Sequence, residues 1–264
     1  MLKMIHIEKS FNIGTVNEKQ IFKGLDLTIN DGDFITVIGG NGAGKSTMLN
    51  LIAGVHKADG GRIILDDEDL TYRNETQRAK YIGRVFQDPM MGTAPTMMIE
   101  ENLAMAYRRT KKRTLAWGIS QKERELYRES LAQLGLGLED RMKTKVGLLS
   151  GGQRQAVTLL MATLQKPKLL LLDEHTAALD PATSAKVLKI SDDIIRENKL
   201  TALMVTHDMQ DAIKYGNRLV MMNNGKMILD ISGEEKKNLT IEQLLHKFEE
   251  ISGTKFATDS VILG

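Results

Sequence analysis

A chain of 264 residues, 42% of them hydrophobic, can bury a sizeable core as one large domain or as two lobes. Its 36 basic and 34 acidic residues leave a net charge of +2, too balanced for a general nucleic-acid binder, although a local basic patch stays open. The absence of cysteine excludes a disulfide framework, a thiol nucleophile and a thiolate metal site. No apolar run approaches the ~20 residues needed to span a bilayer, so a membrane role requires a partner chain.

The opening "MLKMIHIEKSF" alternates polar and apolar residues, which predicts a strand over 2–9 and no secretory signal. "IFKGLDLTI" (21–29) alternates again and closes on the turn pair Asp31-Gly32. "DFITVIG" (33–39) is a short apolar strand running into glycines, and "KSTMLNLIAG" is a helix stopped by Gly54. Strands are expected at 61–66 and 81–87, flanking a helical "NETQRAKY".

Helical patterns at 97–108 and 120–134 then replace strands, the second opening with the capping box Ser120…Glu123. A further helix starts at Ser150 and ends before Pro167. "KLLLLDE" (168–174) and "LTALMVTH" (200–207) are buried-strand patterns separated by a helix, an α/β alternation that argues a parallel sheet. "RLVMM-NNG-KMILDIS" reads as a hairpin, and a last helix begins near Thr240 ahead of Gln243, followed by a tail.

The strongest chemical signal is "GGNGAGKST" (39–47), a G-x-x-x-x-G-K-[ST] match at Gly39, Gly44, Lys45 and Ser46, set between a strand and a helix as that pattern requires. Glycines let backbone N–H groups close around a triphosphate. Lys45 places a point charge on the β/γ oxygens, and Ser46 offers a hydroxyl to Mg²⁺. At the end of "LLLLDE", Asp173 is placed to hold magnesium and Glu174 to orient or deprotonate an attacking water. His207, also at a strand end, is either a surface residue or a third group reaching the γ-phosphate.

"LSGGQRQAVTLL" (149–160) poses a separate question. Ser150 and Gln153 have capping-box spacing, which puts Gly151 and Gly152 in the first turn of a helix, where glycine costs about 1 kcal/mol against alanine. A turn kept bare of side chains, with a hydroxyl at its cap, is expected to be an anion site.

In this order the glycine loop, "LSGGQ", "LLLLDE", "AALD" and the strand-end histidine resemble the nucleotide-binding subunit of ATP-binding cassette (ABC) transporters over nearly the whole chain. The resemblance implies an α/β fold: a P-loop ATPase core with a mostly parallel sheet, an antiparallel β subdomain, and a helical subdomain at about 92–165 carrying the signature. It implies a single domain over 1–264, ending in a C-terminal helix and tail at 240–264. It implies ATP and Mg²⁺ as ligands, with Asn41, Gly42 and Thr47 completing the phosphate loop and Gln87 sensing the γ-phosphate, contributing to the metal site and facing the membrane partner.

Asp180 would cross a dimer interface. Phe11 falls where the family stacks an aromatic ring on adenine, a core phenylalanine being the alternative. The turn of Ser150, Gly151, Gly152 and Gln153 in one subunit would close on ATP held by a second copy, giving two ATP molecules in a head-to-tail homodimer. His175, where many relatives carry proline, is not read as catalytic.

The resemblance further implies an ATPase at the cytoplasmic face of the membrane, acting through permease subunits and indirectly with an extracytoplasmic substrate-binding protein, and not on nucleic acid. "FQDPMMGTAPTMMIEENLAMA" and "NGKMILDISGEEKKNLT" look like importer ATPases, especially a group tied to amino-acid uptake of the tryptophan/tyrosine type. Met90, Met91, Met97 and Met98 are expected on the surface that docks the permease.

The basic run 108–113 near Trp117 reads as a solvated connector or as a contact with the anionic leaflet. Competing readings are an exporter ATPase and a soluble ABC ATPase of ribosomes or DNA. The second cassette or long coiled coil of the soluble members is missing. A GTPase is disfavoured because "NKLT" (198–201) has Thr201 in place of the guanine-reading acid.

Overall fold

The computed structural model describes residues 1–109 and 118–252. In chain order the strands are β1 (Leu2–Phe11), β2 (Lys19–Ile29), β3 (Phe34–Gly39), β4 (Gly60–Leu65), β5 (Glu68–Asp69), β6 (Ile82–Val85), β7 (Leu169–Asp173), β8 (Ala202–Val205), β9 (Arg218–Asn223) and β10 (Lys226–Ser232). The helices are α1 (Lys45–Ala53), α2 (Glu75–Arg78), α3 (Ile99–Tyr107), α4 (Gln121–Ala132), α5 (Gly151–Thr163), α6 (Pro181–Glu197), α7 (Met209–Lys214), α8 (Gly233–Lys237) and α9 (Ile241–Ser252), with a 3₁₀ turn at Val146–Leu148. The expected elements are all present. The 3₁₀ turn, β5, α7 and α8 were not expected, because pieces of two to six residues are too short to show a period.

The chain forms two compact units. One is Met1–Arg78 with Thr201–Gly264, of which residues 253–264, the expected tail, lie outside the described residues. Its antiparallel sheet runs β2-β1-β4-β5, and β3 pairs in parallel with both β8 and β9, whose hairpin partner is β10. The β9–β10 turn sits at Asn224 (φ 46°) and Gly225 (φ 74°), two positive φ values that match the twist of a tight hairpin. The Gly225 N–H then donates to Ala43 O at 3.0 Å, fastening this hairpin to the phosphate loop.

β3 is buried up to its last residue and apolar but for Thr36, whose hydroxyl donates to Ala212 O at 2.8 Å, as suits a parallel strand covered on both faces. α7 and α9 bring Met209, Leu244 and Phe248 against Ile38, Leu219 and Met221 in one apolar cluster. Arg78 is 1% exposed and donates to the carbonyls of Leu51, Ile52 and Leu70, where it also complements the C-terminal end of α1.

The second unit is Ala79–Leu200. β6 and β7 pair in parallel, Ile82 opposite Leu169 through Val85 opposite Leu172, and α5 packs against β6, α3, α4 and α6. α5 buries nine of its residues, so its apolar surface is enclosed on several sides. α4 opens with the expected capping box, Ser120 Oγ accepting from Glu123 N at 3.2 Å. Arg108 donates to both carboxylate oxygens of Glu123 at 3.0 and 2.9 Å. The rest of the basic run, 110–113, and Trp117 lie outside the described residues.

Candidate nucleotide site

The phosphate loop turns on two glycines. At Gly39 (φ 152°) a Cβ would lie 2.2 Å from Met222 O, and at Gly44 (φ 102°) one would lie 2.8 Å from the Phe22 ring. Glycine alone permits the backbone to bend here, and the bend delivers the chain into α1 with its N–H groups forward. Lys45, 7% exposed, donates from Nζ to Gly39 O at 2.6 Å, so its charge is held over the loop rather than released into solvent. Asn41, Gly42 and Ser46 are exposed and Thr47 half-buried on the same turn. His207 is exposed just after β8, where Asp208 caps α7.

In the second unit, β7 carries four buried leucines up to Asp173, which is 16% exposed and accepts from Arg84 Nη2 at 3.0 Å. Glu174 follows with φ 41°, a left-handed conformation that costs a non-glycine residue roughly 1–3 kcal/mol. The chain turns there, with Ala177 N donating back to Glu174 O at 3.0 Å. His175 is thereby driven inward: it is 2% exposed, hydrogen-bonds Ser191 Oγ at 3.0 Å, and burial pushes its pKa down to about 4. It is a neutral packing residue.

Ser150 caps α5, its Oγ accepting from Gln153 N at 3.3 Å while Gln153 Oε1 accepts from Ser150 N at 3.2 Å. Ser150 and Gly151 are exposed, but Gly152 is buried, and a Cβ there would lie 2.2 Å from Thr183 Cγ2. The expectation that both glycines keep the turn bare for an anion needs correction on this point. Packing against α6 requires Gly152; only Ser150 and Gly151 face outward.

Gln87 is exposed just past β6. The backbone before it is held by Gln155 of α5, fully buried, whose Nε2 donates to Phe86 O at 3.2 Å. Sequence reasoning missed both Gln155 and Arg84. A polar residue on the buried face of α5 was the available signal for the first. Asp180 caps α6, accepting from Thr183 N at 3.1 Å, and is exposed. Phe11 is half-buried at the end of β1, edge-on to His56 with ring centroids 5.2 Å apart, and is not a core residue. Met90 and Met91 are exposed as expected at 39% and 70%. Met97 and Met98 are only half-exposed, since the chain there is tied down by Val146 N donating to Met97 O and Met98 N donating to Glu101 Oε2.

Each unit by itself carries a hard oxygen donor of the kind magnesium takes: the Ser46 hydroxyl in one, and in the other the Asp173 carboxylate, which already holds a cation in Arg84. Mg²⁺ characteristically takes one or two protein oxygens and completes its shell with phosphate and water.

A glycine loop that opens a helix is the phosphate-binding element expected of a nucleoside-triphosphatase. The family model described as ABC transporter matches residues 22–177. The chain is 45% identical over 249 residues to the tyrosine transport ATP-binding protein of Clostridioides difficile (strain R20291), covering 94% of this chain and 99% of that one. It is 36% identical over 240 residues to the spermidine/putrescine import ATP-binding protein PotA of Escherichia coli (strain K12), covering 89% of this chain but 60% of the relative's length.

Among solved structures, the dimeric post-hydrolysis state of the ATP-binding cassette MJ0796 bound to ADP and Pi matches with a TM-score of 0.74 at 29% identity, covering 88% of this chain and 98% of that one. The chain belongs to the ABC transporter family and has its α/β cassette fold. It is the ATP-binding, ATP-hydrolysing subunit of such a transporter.

Proposed function

We propose that this ATPase energises uptake of a small solute, an amino acid of the tyrosine type, through separately encoded permease subunits at the cytoplasmic face of the membrane, with an extracytoplasmic binding protein delivering the solute. The resemblance to the tyrosine transport subunit along nearly the full length of both chains supports the solute class. Among the described residues no helix is long and apolar enough to cross a membrane, so translocation is assigned to the partner chains.

The residue roles are those that side-chain chemistry and membership of the family imply. Lys45 and the N–H groups from Gly39 through Thr47 bind the phosphates, and Phe11 stacks on the base. Ser46, Asp173 and Gln87 are the residues that would hold Mg²⁺, which would offset phosphate charge when bound. Glu174 accepts the proton of the attacking water, and His207 donates to the γ-phosphate. Ser150, Gly151 and Gln153, with Asp180, act on the nucleotide of a second copy of the chain. The dimeric assembly of the MJ0796 cassette supports that arrangement.

The single observation that carries the ATPase reading is the Lys45 ammonium, buried and held on the loop carbonyl of Gly39. Ground-state and transition-state roles separate in a direct test: Lys45→Ala should weaken ATP binding, whereas Glu174→Gln should bind normally and lose turnover by about 10²-fold or more. Normal turnover in Glu174→Gln would remove the general-base role.

A further inference from the structure

Arg84 has no part in the roles above, yet it is placed where the chemistry is. It stands opposite Leu171 in the parallel β6–β7 pair, so Asp173, two residues on, shares its face of the sheet. Its Nη2 lies 3.0 Å from Asp173 Oδ2, both side chains are largely buried (13% and 16% exposed), and its guanidinium covers the Phe86 ring at 4.6 Å. The Arg84 Nε is buried with no hydrogen-bond partner among the described residues. A charge taken out of water with one donor unsatisfied is costly, and a well-packed apolar residue would serve a purely structural purpose better.

We propose that Arg84 is a positioning residue for the metal-binding carboxylate: it neutralises Asp173 before Mg²⁺ arrives and thereby sets how strongly nucleotide binding depends on the metal. Without it, Asp173 would present an uncompensated negative charge to the incoming phosphates. With it, part of the work of the dication is already done, and the guanidinium opposes the dication by like-charge repulsion. The contact is one N–H on one carboxylate oxygen rather than a two-point fork, which leaves Oδ1 outside the ion pair. The inference rests on the reading of Asp173 as the metal-shell acid.

The test compares dissociation constants of a fluorescent ADP analogue in EDTA and in saturating Mg²⁺, with folding checked by thermal melts. Arg84→Met should raise the EDTA-to-Mg²⁺ ratio about tenfold over wild type, and Arg84→Lys, which keeps the charge, should stay within about twofold. Should the methionine variant fail to fold, Arg84→Gln makes the same comparison with a neutral hydrogen-bond donor. A folded neutral variant with the wild-type ratio overturns the role of Arg84 alone, provided Asp173→Asn loses its Mg²⁺ dependence. An unchanged ratio in Asp173→Asn overturns the metal assignment, and the inference with it.

Discussion

Gly152 and Thr183 meet where α5 passes α6, so closely that a single added methyl on Gly152 would sit 2.2 Å from Thr183 Cγ2. This contact explains half of a glycine pair that otherwise looks dedicated to a ligand. Gly152→Ala should therefore destabilise the protein by about 1–2 kcal/mol, overpacking outweighing the helix-propensity gain. In a Thr183→Ser background, which removes the offending methyl, the penalty should largely vanish. Urea melts of the four proteins measure it, and an unchanged penalty would mean that the close approach does not limit this position.

Asp211 offers a pH signature away from the phosphate loop. Burial, helped by the charge of Asp208 and opposed by Lys214 and His207, lifts its pKa to about 6 from an ordinary 3.8. The folded protein thus holds a proton between these values that the unfolded chain has released. The associated stability is fully present below pH ~4 and is lost as pH rises through ~6. Asp211→Asn should be more stable than wild type by about 1 kcal/mol at pH 7.5, a value discounted for partial solvent screening, and equal to it near pH 4. Melting curves across that range would show the two converging as pH falls; parallel curves would dismiss the assignment.

The surface beyond Gln87 should dock the permease. Met90, Met91 and Met105 are 39%, 70% and 47% exposed, and methionine is an adaptable apolar side chain suited to a docking surface. The chain has no native cysteine, so single cysteines introduced across 88–106 can be crosslinked without background. Crosslinks to a cytoplasmic helix of the permease are expected at the exposed positions. Their absence at every position would defeat the docking assignment.

Local chemistry made much of this protein legible. The Ser120–Glu123, Ser150–Gln153 and Thr240–Gln243 pairs announce helix starts because each partner lies within one turn, and all three form. The glycine loop is legible for the same reason, as are the apolar runs that become β3 and β7. What depends on register or crossing is not legible. The Arg84–Asp173 ion pair spans 89 residues and needs the β6–β7 register. Gly152 needs the approach of α6, and His175 needs Ser191 from the next helix. A glycine records that a side chain is forbidden, not whether a ligand or a neighbouring helix forbids it.

On the reading proposed above, ATP on the phosphate loop of one copy is closed by the Ser150 turn of another. Charge-assisted hydrogen bonds contribute about 1.5–3 kcal/mol each, so two per site at two sites supply roughly 6–12 kcal/mol before association costs, most of it absent with ADP. The decisive measurement is sedimentation with ATP in a Glu174→Gln background, comparing Lys45→Ala and Ser150→Arg chains alone and mixed. Each alone should remain largely monomeric. Mixed, one composite site pairs the intact loop of the Ser150 variant with the intact signature of the Lys45 variant, and ATP-dependent heterodimer should return. A Glu174→Gln parent that dimerises with ATP while the mixture yields no heterodimer would contradict closure in trans.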